Sequence, residues 1–381
     1  MINVAKYAVN LYIDGTLIGD CRSLAQNLTY SRRRTKLGAD SIDFTINDVL
    51  FDRWCQDHYT TINDLLKPLA LECRIVRNGV ELVGGFLATM PSYSPLQRSA
   101  NLDLRFDGFL NLLDGVYIRN TSNNLPLGTI SGRAGALVRD MINLANTISG
   151  NAGKSYGLVP AHIDTLASIT HTFDNYKTVK DWICDRCDNA TGAGPFDVYF
   201  HADKKYDIYA SSNFGDVITN WTAFYPTTLN NTSATSINAA EISNFASAVV
   251  GLGSGEISAD PNQNTALYRF VSDSYSIARY GYKETLYQDS SVSTGWVLSR
   301  NISAELDNTC DPIWQPQITL HGKQVEPTPV GDTKIWIGDT ITINNSLDLT
   351  GMTNGDFRVN ELTVAVTAAG DETITPILER V

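Results

Sequence analysis

The chain has 381 residues, room for roughly two to four domains of about 100–150 residues each. At 43% hydrophobic it can fill real cores, which excludes a disordered chain, and at 18% charged it must cover its surface with Ser, Thr, Asn and Gly. A formal net charge of −12 with no Lys/Arg-rich stripe argues against specific duplex recognition.

Residues 1–112 read as a first β module. Val9–Ile13 runs into Asp14–Gly15, a pair that tolerates positive φ, and Thr16–Gly19 returns as the second arm of a hairpin. Ser23–Tyr30 and Ser41–Ile46 are the next strands, the second with clean apolar alternation. A loop or short helix is expected around Asp52–Leu66. Leu71–Val76, the turn Asn78–Gly79 and Glu81–Ala88 form another hairpin, and Ala100–Asp107 closes the module. Six or seven strands with regular turn signals predict a barrel or sandwich. The densest basic cluster, Arg32, Arg33 and Arg34 with Lys36, reads as a solvated turn or an interface rim, with nucleic-acid contact as the sharper alternative.

Residues 113–305 change character. Leu137, Val138, Met141, Ile142 and Ala145 recur at helix spacing, which predicts a helix over Ser131–Asn146 capped by Ser131. Thr178 caps a second expected helix that runs to Asp188. Phe196–Phe200 and Tyr206–Tyr209 form a hairpin around Asp203. Ile237–Val250 is compatible with helix or strand and ends in the glycine-rich 251–255. Ala266–Ser274 and Ser276–Glu284 follow, then a helix over Ser293–Asp307.

Residues 306–381 return to short alternating runs: Gln317–Leu320, Lys334–Ile343, Phe357–Val366 and Glu372–Leu378. Gly338–Asp339 and Asn354–Asp356 supply the turns between them. The predicted fold is mainly β. Two small antiparallel β-barrels or sandwiches flank an α+β region, which has strands to lend to the second barrel.

A search for chemistry returns no catalytic, cofactor-binding or metal-binding residue. Six cysteines are too dilute for a disulfide scaffold, and Cys184 with Cys187 lacks the setting of a redox motif or a second pair for zinc, so all six are expected to be thiols. His58, His162, His171, His201 and His321 form no metal-ligand spacing and read as boundary residues. Gly251, Gly253 and Gly255 lack the Lys–Ser/Thr ending of a phosphate loop and read as a strand end. Asp103, Asp107 and Asp114 are acid pairs only by chance. Residues 188–194 have the flavour of a calcium loop without its ligand spacing. Sequons such as those at Asn220 and Asn231 carry little weight, because the N-terminus reads as a strand and not as a signal peptide. No stretch approaches the ~20 apolar residues of a spanning helix. Synthesis in a cytoplasm is expected, with departure as part of a particle.

The order of elements, together with Arg279, Tyr280, Gly281, Glu284, Gly338, Asp339 and Pro376, resembles the distal-tail and baseplate hub proteins of long-tailed phages. These include the N-terminal hub region of siphophage tail-associated (Tal) proteins and the myophage baseplate hub. Lys36–Ile46 is similar to their first barrel. The resemblance implies a non-enzymatic structural protein of the virion tail tip. It also implies a homotrimeric ring of two barrels per subunit, touching a distal tail protein, a tape-measure protein and receptor-binding or tip proteins. An acidic lumen would let DNA pass without sticking. Because the second barrel ends at Val381, the chain looks like a bare hub whose hydrolase, if any, is another polypeptide. Two other readings are a distal-tail or receptor-binding protein holding host saccharide, and a tail-associated cell-wall hydrolase.

Overall fold

The computed structural model describes residues 5–58, 60–91, 101–173, 175–188, 195–220, 222–225, 236–242, 245–255, 265–310, 313–322, 324–345 and 354–381. Contacts divide the chain into two compact units, Met1–Ile237 with Gln317–Val381, and Asn238–Pro316. Strand makes up 43% and helix 24%, so the chain is mainly β, as expected.

The first unit opens with β1 (Tyr7–Ile13), β2 (Thr16–Asp20), β3 (Gln26–Arg33) and β4 (Ser41–Asn47), then α1 (Asp48–Asp57) and α2 (Ile62–Leu65). β5 (Leu71–Arg77), β6 (Val80–Leu87) and β7 (Asn101–Gly108) follow. Both expected hairpin turns form. Asp14 and Gly15 take φ of 50° and 78°, and Asn78 and Gly79 take 50° and 85°, the left-handed pair that matches strand twist. The Asp52–Leu66 region is two helices, capped by the side chains of Asn47 and Thr61.

Next come β8 (Gly128–Arg133), α3 (Ala134–Asn151), β9 (Val159–Ile163), β10 (Ser168–Phe173), α4 (Val179–Asp188), β11 (Phe196–Phe200), β12 (Lys205–Ala210) and β13 (Ala223–Tyr225). α3 starts later than its periodicity implies. Ser131 is not a cap but a strand residue, opposite Thr170 in the β8–β10 pair. The apolar stripe from Leu137 to Ala145 is buried as predicted. Thr178 does cap α4, its Oγ1 accepting from the Asp181 N–H at 3.0 Å.

Ile237–Val250 proves to be two strands, β14 (Ser236–Ile242) and the start of β15 (Ala248–Leu252). In the second unit β15 is the centre of a three-stranded sheet, antiparallel to β16 (Tyr268–Ser272) and, across α5 (Ser274–Tyr280), parallel to β17 (Glu284–Gln288). Leu298, Ile302 and Leu306 of α6 (Gly295–Thr309) pack on Val249 and Val292. A Cβ at Gly251 would lie 2.5 Å from Ile302 Cγ2, so this glycine serves close helix–sheet approach.

The chain ends with β18 (Ile313–His321), β19 (Thr340–Asn345), β20 (Gly355–Val366) and β21 (Glu372–Arg380). Only the second half of the Lys334–Ile343 run is strand. Ile335, Trp336 and Ile337 are buried outside any strand, because Gly338, at φ 87°, turns the backbone there.

The main sheet of the first unit follows the path β18-β21-β20-β3-β4-β7-β6-β5-β1-β2, with β19 also on β20 and β13 on β19. β3 pairs antiparallel with β20, setting Tyr30 opposite Val364 and Arg33 opposite Glu361. Opening and closing portions therefore share one sheet and one core. Val9, Tyr30, Phe44 and Phe106 belong to the same buried cluster as Ile341, Phe357 and Val364. A second cluster around Ile142, Trp182, Phe196 and Tyr206 fills the middle portion. Each fully buried side chain of this size is worth roughly 1.5–3 kcal/mol. The six cysteines are thiols, as expected, with Cys21, Cys55, Cys73 and Cys187 buried. Among the described residues, no helix is long and apolar enough to cross a membrane.

Candidate functional site

The basic cluster is where the structure departs most from the sequence reading. β3 runs on through Arg33, so the arginines leave the strand pointing at neighbours and not at water: Arg32 is 1% and Arg34 6% exposed. Arg32 donates to Asp40 Oδ2 at 2.5 Å and to the Phe200 carbonyl at 3.0 Å. Arg34 grips Asp197 with two bonds of 3.0 and 2.7 Å and reaches Asn360 Oδ1 at 3.0 Å. Arg33 pairs with Glu361 at 3.0 Å and Lys36 with Glu379 at 2.9 Å. The cluster is a fastener between the first strands, the β11–β12 hairpin and the closing strands. The planar guanidinium suits this task, since its fork matches a carboxylate bidentately while its stem packs.

Burial would raise the Glu379 carboxyl, but hydrogen bonds from Asn360 and Lys36 and the nearby cations hold it below its ordinary value. A carboxyl depressed on folding stabilises the fold above its unfolded pKa of about 4.3. That contribution is lost as the pH falls through the lower folded value. Glu379→Gln is therefore expected to flatten the acid limb of stability against pH below about pH 4. Urea unfolding at stepped pH reads this out, and an unchanged limb would show that Glu379 titrates as in the unfolded chain.

Beside the fastener lies a cleft of about 330 Å³ between the β11–β12 hairpin, Glu81 of β6 and the Gly338–Asp339 turn. His201 Nε2 is 2.7 Å from Asp207 Oδ2, to which the Tyr209 hydroxyl donates at 2.9 Å. Burial pulls the Asp207 carboxyl upward, yet His201 and Tyr209 hold it below the ordinary carboxylate range. Burial and the Asp207 charge push the Tyr209 hydroxyl up to about 12. Tyr199 meets His201 edge-on at 4.8 Å, and the Arg32 guanidinium lies 4.4 Å from the Tyr199 ring centre and 5.6 Å from that of Trp336.

The cleft's other wall is a backbone crossing. A Cβ on Gly215 (φ 83°) would come 2.1 Å from the Gly338 carbonyl carbon, and one on Gly338 would come 2.7 Å from the Phe214 ring. Buried Asp339 accepts from the Trp336 and Asp216 N–H groups, both at 2.9 Å, and burial pushes its carboxyl up. Arg358 ties the crossing together through the carbonyls of Ser211, Phe214 and Gly338. Among the described residues no cluster of three His, Cys, Asp or Glu could hold a metal ion.

The structure disperses the residues picked out by resemblance. Gly338 and Asp339 form the turn just described, and Pro376 sits in β21 opposite Leu362. Arg279, Tyr280, Gly281 and Glu284 belong to the second unit. There Arg279 donates to the Tyr275 hydroxyl at 3.0 Å, Gly281 ends α5 at φ 97°, and Glu284 accepts from the Tyr282 hydroxyl. The chance acids have ordinary partners: Asp103 has Thr45, Asp107 has Asn111 and Arg105, and Asp114 has Lys180. Residues 189–194 and the sequon at Asn231 lie outside the described residues. The His201–Asp207 and His162–Asp164 pairs were not evident from histidine spacing. The first was within reach, because the predicted hairpin sets Phe200 opposite Tyr206 and so brings residues 201 and 207 together.

No family model and no curated protein matches the sequence. The fold does match solved tail proteins from end to end. The 43 kDa tail protein of prophage MuSo2 from Shewanella oneidensis superposes with a TM-score of 0.60 at 10% identity, covering 98% of each chain. A tail protein from Neisseria meningitidis MC58 gives 0.57 at 13% identity over 98% of this chain and 96% of that one. Prophage tail protein gp18 from Listeria monocytogenes EGD-e gives 0.51 at 11% identity, with coverage of 97% and 94%. The chain has the fold of these tail proteins, as the resemblance implied.

Proposed function

We propose that this chain is a structural hub subunit of a phage or phage-like tail tip or baseplate. It forms a trimeric ring that joins the tail tube to the tip and lets DNA pass. The observation that supports this most is the end-to-end likeness of fold to three tail proteins with almost nothing left over on either side. The internal chemistry agrees with it. The cations of the basic cluster are committed to holding strands together, not to substrate. The neighbours are a distal tail protein, a tape-measure protein and receptor-binding or tip proteins. Closed cyclic symmetry requires a heterologous interface between copies, and the −12 charge suits a conduit that repels DNA.

Light scattering on the purified chain, with negative-stain imaging, tests the ring. Three times the mass of one chain and ring-shaped particles are expected. A chain that stays monomeric at about 100 μM, a concentration at which even weak ~μM contacts would be populated, and shows no ring would sink the reading.

A further inference from the structure

We infer that the open face of the β15–β16–β17 sheet, centred on Phe270, Val250 and Leu286, is covered by a neighbouring copy of this chain. The inference names an interface for the ring and rests on that reading. One face of the sheet is already covered by α6, where Val249, Val271 and Tyr287 meet Leu298 and Ile302. Alternate residues point the other way, and the register lines them up. Val250 stands between Phe270 of β16 and Leu286 of β17, and Leu252 is opposite Tyr268. Phe270 is 45%, Tyr268 52% and Leu286 58% exposed, while Val250 and Leu252 are half-buried. A sheet with one wet face carries polar residues outward, and a parallel pair such as β15–β17 is ordinarily covered on both sides. Here the outward row is aromatic and aliphatic, so the sheet has the composition for two covers. Among the described residues, α6 is the cover this unit supplies.

Area, charge and symmetry say what the second cover is. Each strand has five residues. At about 3.3 Å per residue and about 4.8 Å between strands, the face measures roughly 240 Å². That is well under the ~800 Å² per partner of a standard stable complex. A free partner held here alone would fall off. A copy already held at another contact of a closed ring would stay, because tethering raises avidity by ~10²–10⁴. Copies of a chain at −12 repel one another, so they can meet only where charge is sparse or paired. On this face Glu284 is the one charged residue among the outward positions of the three strands. In a ring of three the face meets a different surface of its neighbour, since a face that meets itself closes a pair.

Hydroxyl-radical footprinting of the unaltered full chain, with light scattering on the same samples from about 1 to about 100 μM, tests this without relying on a variant to fold. Tyr268, Phe270 and Leu286 are expected to react freely in the dilute chain and to lose most of that reactivity as the mass rises. Leu286→Asp and Phe270→Asp, both at exposed positions, should each weaken association about tenfold. If the assembly forms with the three side chains still reactive, or if both variants assemble as tightly as the unaltered chain, the interface is overturned and the ring stands. Side chains that are unreactive already in the dilute monomer would show a face covered within one chain, which overturns it equally. An assembly that stops at a pair with the face protected supports the copy as occupant and sinks the three-membered ring. A chain monomeric throughout overturns both.

Discussion

Replacing Arg34 by methionine is expected to lower the unfolding free energy by about 3–5 kcal/mol, the cost of breaking a buried ion pair by removing one partner. Asp197 is 1% exposed, and without the guanidinium its carboxylate keeps, among the described residues, the Ser211 hydroxyl at 2.8 Å. Asn360 Oδ1 loses its 3.0 Å donor in the same step. Burial by itself would weaken the charge on Arg34, yet the Asp197 bonds and charge hold the guanidinium above its ordinary value, so Arg34 stays charged in the fold. Arg34→Met with Asp197→Leu should recover most of the loss, because an apolar pair of similar volume is often neutral or better. Arg34→Lys should fall between, since one ammonium cannot serve both carboxylate oxygens and Asn360 together. Urea unfolding at neutral pH measures all three. If the double variant is less stable than the single one, the pair contributes through packing and not through charge.

What could be read from the chain in advance was local. The Asp14–Gly15 and Asn78–Gly79 turns need positive φ at adjacent residues, and that demand is written in the residues themselves. The helix stripe from Leu137 to Ala145 is likewise a matter of spacing. What could not be read depends on partners far along the chain. Arg34 and Asp197 are 163 residues apart and Arg34 and Asn360 are 326 apart, so three consecutive arginines look like a solvated turn until the fold brings acids to them. Ile335 and Ile337 alternate like a strand, but Gly338 must turn where Gly215 crosses it, and the alternation serves burial without pairing. The β3–β20 junction has no local signature either, because edge pairing between distant strands is decided by the whole sheet. Element order carries across great sequence distance: the fold it implied is that of tail proteins only 10–13% identical.

Glu372→Ala is expected to cost about as much as Arg34→Met, again roughly 3–5 kcal/mol, but to act on a different joint. Glu372 opens β21 and accepts from Arg77 of β5 at 2.6 and 3.1 Å and from the Tyr7 hydroxyl of β1. Tyr7 in turn lies 3.3 Å from the Tyr30 hydroxyl of β3, so one carboxylate gathers strands from both ends of the sequence. Burial first, then Tyr30 and Glu372, pushes the Tyr7 hydroxyl far above its ordinary value, and it therefore stays a donor at any ordinary pH. Without the carboxylate, the acidic partner that remains to buried Arg77 among the described residues is Glu326 at 3.7 Å, which is 43% exposed and well hydrated. Glu372→Gln keeps an acceptor for Tyr7 but removes the charge that Arg77 requires, and should recover only part of the loss. The two joints differ in reach. Arg34 and Asp197 hold the middle hairpin to the first strands, whereas Arg77 and Glu372 join the opening and closing strands across a core they already share. Loss of Glu372 should therefore lower hydrogen-exchange protection together in β1, β5 and β21, with unfolding of the first unit still a single step. If β21 alone loses protection, the carboxylate is a local clasp, and the opening and closing strands owe their union to the β3–β20 pairing instead.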